Sequence, residues 1–404
     1  MKELTAKTQL LLWMQWINKS DRYLKSIGIS LITLSEESLI ANAQQKAELS
    51  DWGDESFRAG LRALLLSIQQ ENNLSLTGRW LMKRHITNLL INRLQIQSTL
   101  KQHPEILTVP IRRPLIITGL PRTGTTLLHR LLAQDSQFRW LRLWELLQPC
   151  PPPALARAAT DPRIRKAQAL ARQHQKIVSN LAAAHRIGPQ LPEEGNQLLE
   201  HAFTNFLFNL RAHLPTYETW LRNQDMTGSY RYYRQQLQLL GWQWPGRWLL
   251  KAPTHLRDLD ALVSAFPDAC IVQMHRDPID VVPSMCSLTA ISRRIFSDDL
   301  DLAVVGRDVL DMTAYAHEKG RRFRQQYSDV PICDVDYVDL VRSPIATVQR
   351  IYNFFGDSLQ LETIAQMEKW LAQNPKNKYG AHQYSLEQFG LSHADIQERF
   401  TQTR

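Results

Sequence analysis

The stretch 114–132, PLIITGLPRTGTTLLHRLL, constrains the chain most strongly, because an apolar run meets a glycine-bounded turn and then a helical pattern. Leu115 to Thr118 form a short apolar run of the kind buried on both faces of a parallel sheet. Between Gly119 and Gly124 the chain must turn tightly and aim successive backbone N–H groups inward. That makes an anion nest, continued into a helix N-terminus at Thr125 and Thr126. The spacing G-x-x-x-x-G is that of a phosphate-binding loop, but Thr125 stands where a nucleotide triphosphatase has Lys. A Lys at that position reaches the β and γ phosphates, so its absence argues against hydrolysis of ATP or GTP. The cation available is Arg122, inside the loop, and a donor with a different anionic group is expected.

With 404 residues, 44% of them apolar and 22% charged, the chain can bury one large core or a core plus a smaller helical domain. The net charge of +9 suits an anionic ligand or surface, yet Lys and Arg are scattered rather than gathered in a tract of nucleic-acid type. Cys150, Cys270, Cys286 and Cys333 lie far apart with no C-x-x-C pair, which argues against a zinc site or a disulfide framework and fits a reducing cytoplasm. The N-terminal LLLWMQW is too short to span a membrane and lacks a clean cleavage site, so it reads as part of an amphipathic helix, core-facing in preference to membrane-anchoring.

Residues 1–105 read as a helical N-terminal extension: one helix to about Ser26, one after Ser35, one from Glu55 and one from Thr77 to Leu100. Residues 106–404 read as an α/β domain with a central parallel sheet, interrupted at about 150–245 by inserted helices that open after the proline cluster Pro149 to Pro153. Within the insertion, 162–185 is helical, and Pro192, Glu193 and Glu194 suit the first turn of a further helix. RWLLKAP is a strand ending at Lys251, followed by a helix from His255 to Phe266 and a second buried strand, ACIVQMH, ending at His275. Asp277 and Pro278 open the next helix, with Pro283 as a kink; Asp301 to Tyr327 form a long helix and PICDVDY the last strand. Two more helices fill 344–373, before a polar, irregular tail.

Arg276 sits where a buried strand gives way to a helix, the place where open α/β sheets bind ligands, and Ser284 lies further along that helix. This pair resembles the 3′-phosphate site of sulfotransferases that use 3′-phosphoadenosine 5′-phosphosulfate (PAPS). LPRTGTTLLHRLL is similar to the 5′-phosphosulfate loop of the same family, and VDYVDLVRSPIATVQRIYNFFG to its Tyr-x-x-Leu and Phe-Phe-Gly segment. The resemblance runs from about Pro114 to Gly390 and leaves the first hundred residues uncovered. Arg in the loop is similar to bacterial-type and tyrosylprotein sulfotransferases, whereas the cytosolic steroid and phenol enzymes carry Lys. Lys378 and Gly380 match the Arg-Lys-Gly phosphate clamp of the cytosolic enzymes, and Tyr379 departs from it.

The resemblance implies a P-loop-type α/β fold and transfer of a sulfuryl group from PAPS to an acceptor hydroxyl or amine, with no metal. The loop residues Pro121, Arg122, Thr123, Gly124, Thr125 and Thr126 would hold the 5′ side of the donor, Arg276 and Ser284 the 3′-phosphate, and Lys251 would reach the bridging oxygen. An acceptor hydroxyl also needs a base. Glu145, in RLWELLQ, lies close to where tyrosylprotein and bacterial-type enzymes place a catalytic Glu; His255 follows Lys251 as the base of the cytosolic enzymes follows a Lys. Glu145 is placed slightly ahead, and Glu193 and Glu194 are a third choice already explained by a helix dipole. Phe203, Phe206, Phe208, Trp220, Tyr230, Tyr232, Tyr233, Trp242 and Trp244 crowd the insertion; most are expected to fill its core, and together they favour an apolar or lipid-like alcohol as acceptor. A P-loop kinase and a non-catalytic nucleotide-binding or membrane-surface scaffold are the competing classes.

Overall fold

The computed structural model describes residues 18, 31–71, 73–177, 187–375 and 385–401. The expected first helix, the clamp residues Lys378 and Gly380 and most of the polar tail lie outside the described residues, apart from Asn18. In the N-terminal part, α1 (Glu36–Ala47) is capped by the Ser35 hydroxyl, which accepts from the Ser38 N–H, and α3 (Leu76–Gln102) is capped likewise by Ser75. Between them lies α2 (Phe57–Glu71).

Among the described residues, five parallel strands form one sheet in the order β2-β3-β1-β4-β5. They are β1 (Leu115–Gly119), β2 (Phe138–Trp140), β3 (Arg247–Lys251), β4 (Cys270–His275) and β5 (Ile332–Asp336). β1 is central and buried along its whole length, pairing Ile116 with Leu250 on one side and Ile271 on the other. Alternate side chains divide the core between the two faces of the sheet. Ile116, Leu250 and Ile271 face a large cluster shared with the N-terminal and inserted helices, while Leu115, Ile117, Leu249 and Val272 face a smaller one.

That smaller cluster is closed by the loop helix α4 (Thr125–Leu132) and by later helices carrying Val348, Ile351 and Met367. β2 escaped the sequence reading because three residues are too few to show a period. It is followed by α5 (Leu143–Leu147) and α6 (Arg163–Ile177), then by α7 (Asn196–Leu199), α8 (Leu207–Arg211), α9 (Pro215–Arg222) and α10 (Thr227–Gly241). After β3, the expected helix from His255 is divided: a 3-10 turn, Pro253–Arg257, precedes α11 (Leu259–Ala265), because Asp258 takes a non-helical conformation with φ −139°. After β4 come α12 (Pro278–Phe296), which carries Pro283 without ending, and α13 (Leu302–Gln326), capped by Asp301. β5 runs directly into α14 (Tyr337–Arg342), a short helix with no counterpart in the sequence reading.

One departure from expectation matters for function. Pro192, Glu193 and Glu194 do not form a helical first turn; the segment is extended and tied across the sheet's carboxyl edge. Pro192 bridges antiparallel to Arg142, the Glu193 N–H donates to the Leu141 carbonyl (2.9 Å), and the Gly195 N–H donates to the Lys251 carbonyl (3.0 Å). Helix α7 therefore starts only at Asn196. Among the described residues no helix is long and apolar enough to cross a membrane, and all four cysteines are buried and free.

Candidate active site

β3, β1 and β4 are neighbours, so their carboxyl ends open side by side into a cleft of about 210 Å³. Its walls bring together Arg122, Gly124, Thr125 and Thr126 from the loop after β1, Glu194 and Asn196 from the tethered segment, and Arg276 from the end of β4. Pro121, Phe206, Leu207, Leu210, Pro253, Met285, Leu288 and Tyr337 complete it with mostly apolar surface.

The loop's shape depends on two glycines. Gly119 has φ +136°, and a Cβ there would lie 2.4 Å from the Met274 carbonyl oxygen; at Gly124, φ +91°, it would lie 2.8 Å from the Tyr337 ring. Arg122 also has a left-handed φ of 70°, a conformation that costs energy for a residue with a Cβ and is concentrated at functional sites. The Thr123 hydroxyl braces the turn from within by donating to the Leu120 carbonyl (2.7 Å). The result is a curved backbone delivered to the positive end of α4, suited to an anion.

The cations around this nest are held in place. Arg122 Nε donates to the Ser284 hydroxyl (2.9 Å), and Arg276 Nη1 donates to the Arg122 carbonyl (3.2 Å). The Arg276 guanidinium stacks 4.5 Å from the Tyr337 ring centre and pairs with Asp280 at 3.2 Å. Of the expected 3′-phosphate pair, Arg276 lies on the cleft wall, whereas Ser284 is buried behind it as the partner of Arg122. Lys251 is 1% exposed at the end of β3; its ammonium donates to Thr126 Oγ1 (3.4 Å) and to Glu194 Oε1. The other Glu194 oxygen accepts from Asn196 Nδ2 at 2.9 Å, and Asn196 in turn is bonded to the Thr254 hydroxyl.

The carboxylate on the cleft wall is thus Glu194, whereas Glu145, placed slightly ahead from sequence, lies apart from it. Glu145 is fully buried in α5 and does not line the cleft. Its oxygens accept from Arg139 Nη2 (2.9 Å) and Nη1 (3.5 Å) and from the Arg142 backbone N–H (2.9 Å), which makes it the reciprocal cap of its own helix. Arg139 and Arg142 are covered in turn by the Trp244 ring at 4.4 and 4.1 Å, and burial pushes the Arg142 guanidinium down to about 10. Substituting Glu145→Gln is expected to lower unfolding stability by about 2 to 3 kcal/mol. That is less than the full cost of removing a buried ionic partner, because the amide oxygen still accepts from Arg139. Urea unfolding checks this, with turnover per folded molecule expected to match the parent.

His255, the other candidate base, does not line the cleft either. It is completely buried between the Tyr230 and Tyr233 rings, 5.5 and 5.7 Å away, and its Nδ1 is bonded to the Tyr230 hydroxyl (2.8 Å). Burial drives its pKa down to about 3 against a weaker opposing pull from Glu194, leaving a neutral core histidine without a place on the cleft wall. Among the described aromatic residues of the insertion, Phe206 alone lines the cleft; Phe203, Phe208, Tyr230 and Tyr233 are core. Tyr337 and Asn196 were not singled out from sequence. Tyr337 lies in the VDYVDL segment already noted, but nothing local indicates that its ring covers Gly124 and Arg276.

Residues 114–360 match the sulfotransferase family. The omega-hydroxy-beta-dihydromenaquinone-9 sulfotransferase Stf3, in Mycobacterium bovis and in Mycobacterium tuberculosis, is 26% identical over 301 residues, which is 70% of this chain and 72% of the relative. Among solved structures, sulfotransferase STF1 from Mycobacterium tuberculosis superposes with a TM-score of 0.82 and 34% identity, covering 92% of this chain and 99% of that one. STF9 from Mycobacterium avium does so with a TM-score of 0.84 and 30% identity, covering 93% and 96%. A helix-rich α/β fold around a central parallel sheet, a phosphate-type loop with Thr125 at the triphosphatase Lys position and Arg122 as its cation, and matches over most of the chain lead to one assignment: the chain belongs to the bacterial-type sulfotransferase family.

Proposed function

We propose that the sulfuryl donor is PAPS and that the acceptor is an apolar alcohol, the bisphosphate 3′-phosphoadenosine 5′-phosphate being released. The observation that carries this reading is the gathering of Arg122, Arg276 and the α4 N-terminus on a cleft that is also lined by apolar residues and by Glu194, the carboxylate paired with the buried Lys251. When bound, the donor supplies an electrophilic sulfur and a phosphate leaving group; the chain supplies alignment and charge. The loop from Pro121 to Thr126 would hold the 5′ side, and Arg276 at the mouth of the cleft the 3′-phosphate. Ser284 acts through Arg122, whose guanidinium it orients.

Lys251, joined to Thr126 and Glu194, stands between the loop and the carboxylate and would offset negative charge growing on the departing phosphate. Glu194 would take the acceptor proton. The apolar walls, together with a relative named for a hydroxylated menaquinone derivative, support a lipid-like acceptor.

Calorimetry tests the donor. Saturable binding of the bisphosphate without magnesium is expected, and preferential binding of magnesium-ATP would overturn the reading. Arg276→Ala should weaken bisphosphate binding by about 2 to 3 kcal/mol, the loss of a charge-assisted phosphate contact. Unaltered affinity in that variant would remove Arg276 from the donor site. Gain of one sulfuryl group by mass spectrometry, in lipid extracts incubated with PAPS, tests the acceptor; modification confined to charged polysaccharide would exclude an apolar one.

A further inference from the structure

The Glu194 carboxylate ends a flexible side chain, and a base works only where its oxygen is held within reach of the proton it removes. One oxygen is bound by the Lys251 ammonium. At the other, an acceptor-only carboxylate dictates the direction of a chain of bonds. Asn196 must turn its amide N–H toward Glu194 Oε2 (2.9 Å), which leaves its amide oxygen facing the Thr254 hydroxyl, and that hydroxyl must then donate. Asn196 is 1% exposed and Thr254 6%, and polar groups buried to that degree are costly unless bonded. Neither side chain serves its own helical turn, because α7 and the Pro253–Arg257 turn have no side-chain cap bond.

Both holds on the carboxylate trace to one stretch of chain. Lys251 closes β3 and Thr254 lies in the turn that follows; between them the Ala252 N–H donates to the Ile117 carbonyl of the central strand (3.1 Å). On its other side Asn196 is tied to the cleft wall. Asn205 Nδ2 donates to the Asn196 carbonyl (2.8 Å), and Asn205 Oδ1 accepts from the N–H of Leu207, a cleft-lining residue (2.9 Å). Buried bonds linked in series polarise and stiffen one another.

We infer that Asn196 and Thr254 are positioning residues for sulfuryl transfer: Thr254 orients the Asn196 amide, and the amide holds the Glu194 carboxylate ionised and aimed into the cleft. The inference rests on reading Glu194 as the base. Thr254 acts on the reaction only through Asn196 and Glu194.

Thr254→Val keeps the shape of the side chain and removes its hydroxyl. It should lower kcat by about twofold to tenfold, the range for one lost neutral hydrogen bond, with bisphosphate affinity unchanged. Thr254→Ser should restore the parent rate. Asn196→Asp keeps the oxygen that accepts from Thr254 but turns the donor facing Glu194 into a like charge. The carboxylate anion then loses support, so the Glu194 titration, followed by carboxyl ¹³C NMR, should move to higher pH, and the acid limb of the kcat profile with it. Combining Thr254→Val with Glu194→Gln should lower kcat no further than Glu194→Gln alone, because both act on one group.

An unmoved Glu194 titration in folded Asn196→Asp would overturn the inference whether or not the protein turns over, and this arm also covers a Thr254→Val that fails to fold. A Thr254→Val loss that adds in full to that of Glu194→Gln would likewise overturn it while leaving Glu194 as the base. Parent-like turnover in Glu194→Gln alone would instead remove the reading on which the inference rests.

Discussion

Replacing Glu194 with Gln is expected to lower kcat by about 10²- to 10⁴-fold, the usual contribution of a positioned general base. Bisphosphate affinity should stay close to that of the parent. The carboxylate is aimed from both sides, by the Lys251 ammonium at Oε1 and by Asn196 Nδ2 at Oε2 (2.9 Å), and its backbone is anchored through the Gly195 N–H to the Lys251 carbonyl (3.0 Å). Gln preserves the size of the side chain and one acceptor oxygen but cannot accept a proton from an alcohol. The variant therefore separates the base from the scaffold, which a truncation to Ala would not. Steady-state rates with a saturating acceptor, paired with bisphosphate calorimetry, provide the readout. Parent-like turnover in Glu194→Gln would move the base elsewhere, and a parallel loss in Glu145→Gln would return attention to α5.

Lys251→Met is expected to lower kcat by about 10²- to 10³-fold, the range seen when one group that stabilises developing negative charge is removed. Met keeps most of the volume of the aliphatic stem, which is buried, and removes only the charge. Two consequences follow from the same bond. Glu194 loses the cation that holds Oε1, and Thr126 Oγ1 loses its donor at 3.4 Å. The stability cost should stay well below that of breaking a fully buried ion pair, because Glu194 keeps 24% of its side chain exposed and water can reach it. Thermal unfolding should thus shift by only a few degrees while turnover collapses. A variant that turned over at the parent rate would exclude Lys251 from stabilising the leaving phosphate.

What could be read from sequence alone was whatever depends on neighbours along the chain. The run Leu115 to Thr118, the spacing of Gly119 and Gly124 and the absence of Lys at position 125 specify a strand, a nest and a helix start through backbone geometry alone. Arg276 was legible because the end of a buried parallel strand is a ligand position whatever the partner strands are. The four longer strands of the sheet and the family followed from these local signals.

Tertiary structure alone decided which of several chemically equivalent side chains faces the cleft. Glu145 and Glu194 are both carboxylates beside cations, but three hydrogen bonds turn Glu145 into the core of its own helix cap. Glu194 is carried to Lys251 by an extended segment pinned to Arg142, Leu141 and the end of β3. Its Pro-Glu-Glu pattern satisfies the local rules of a helix start, and the long-range backbone bonds override them. Phe206 differs from the nine other aromatic residues of the insertion in lying where the turn Pro253–Arg257 and α12 meet the loop. Such placements depend on contacts between segments far apart in the chain, each adding about 1 kcal/mol or less, so no short window of sequence contains the information that selects them.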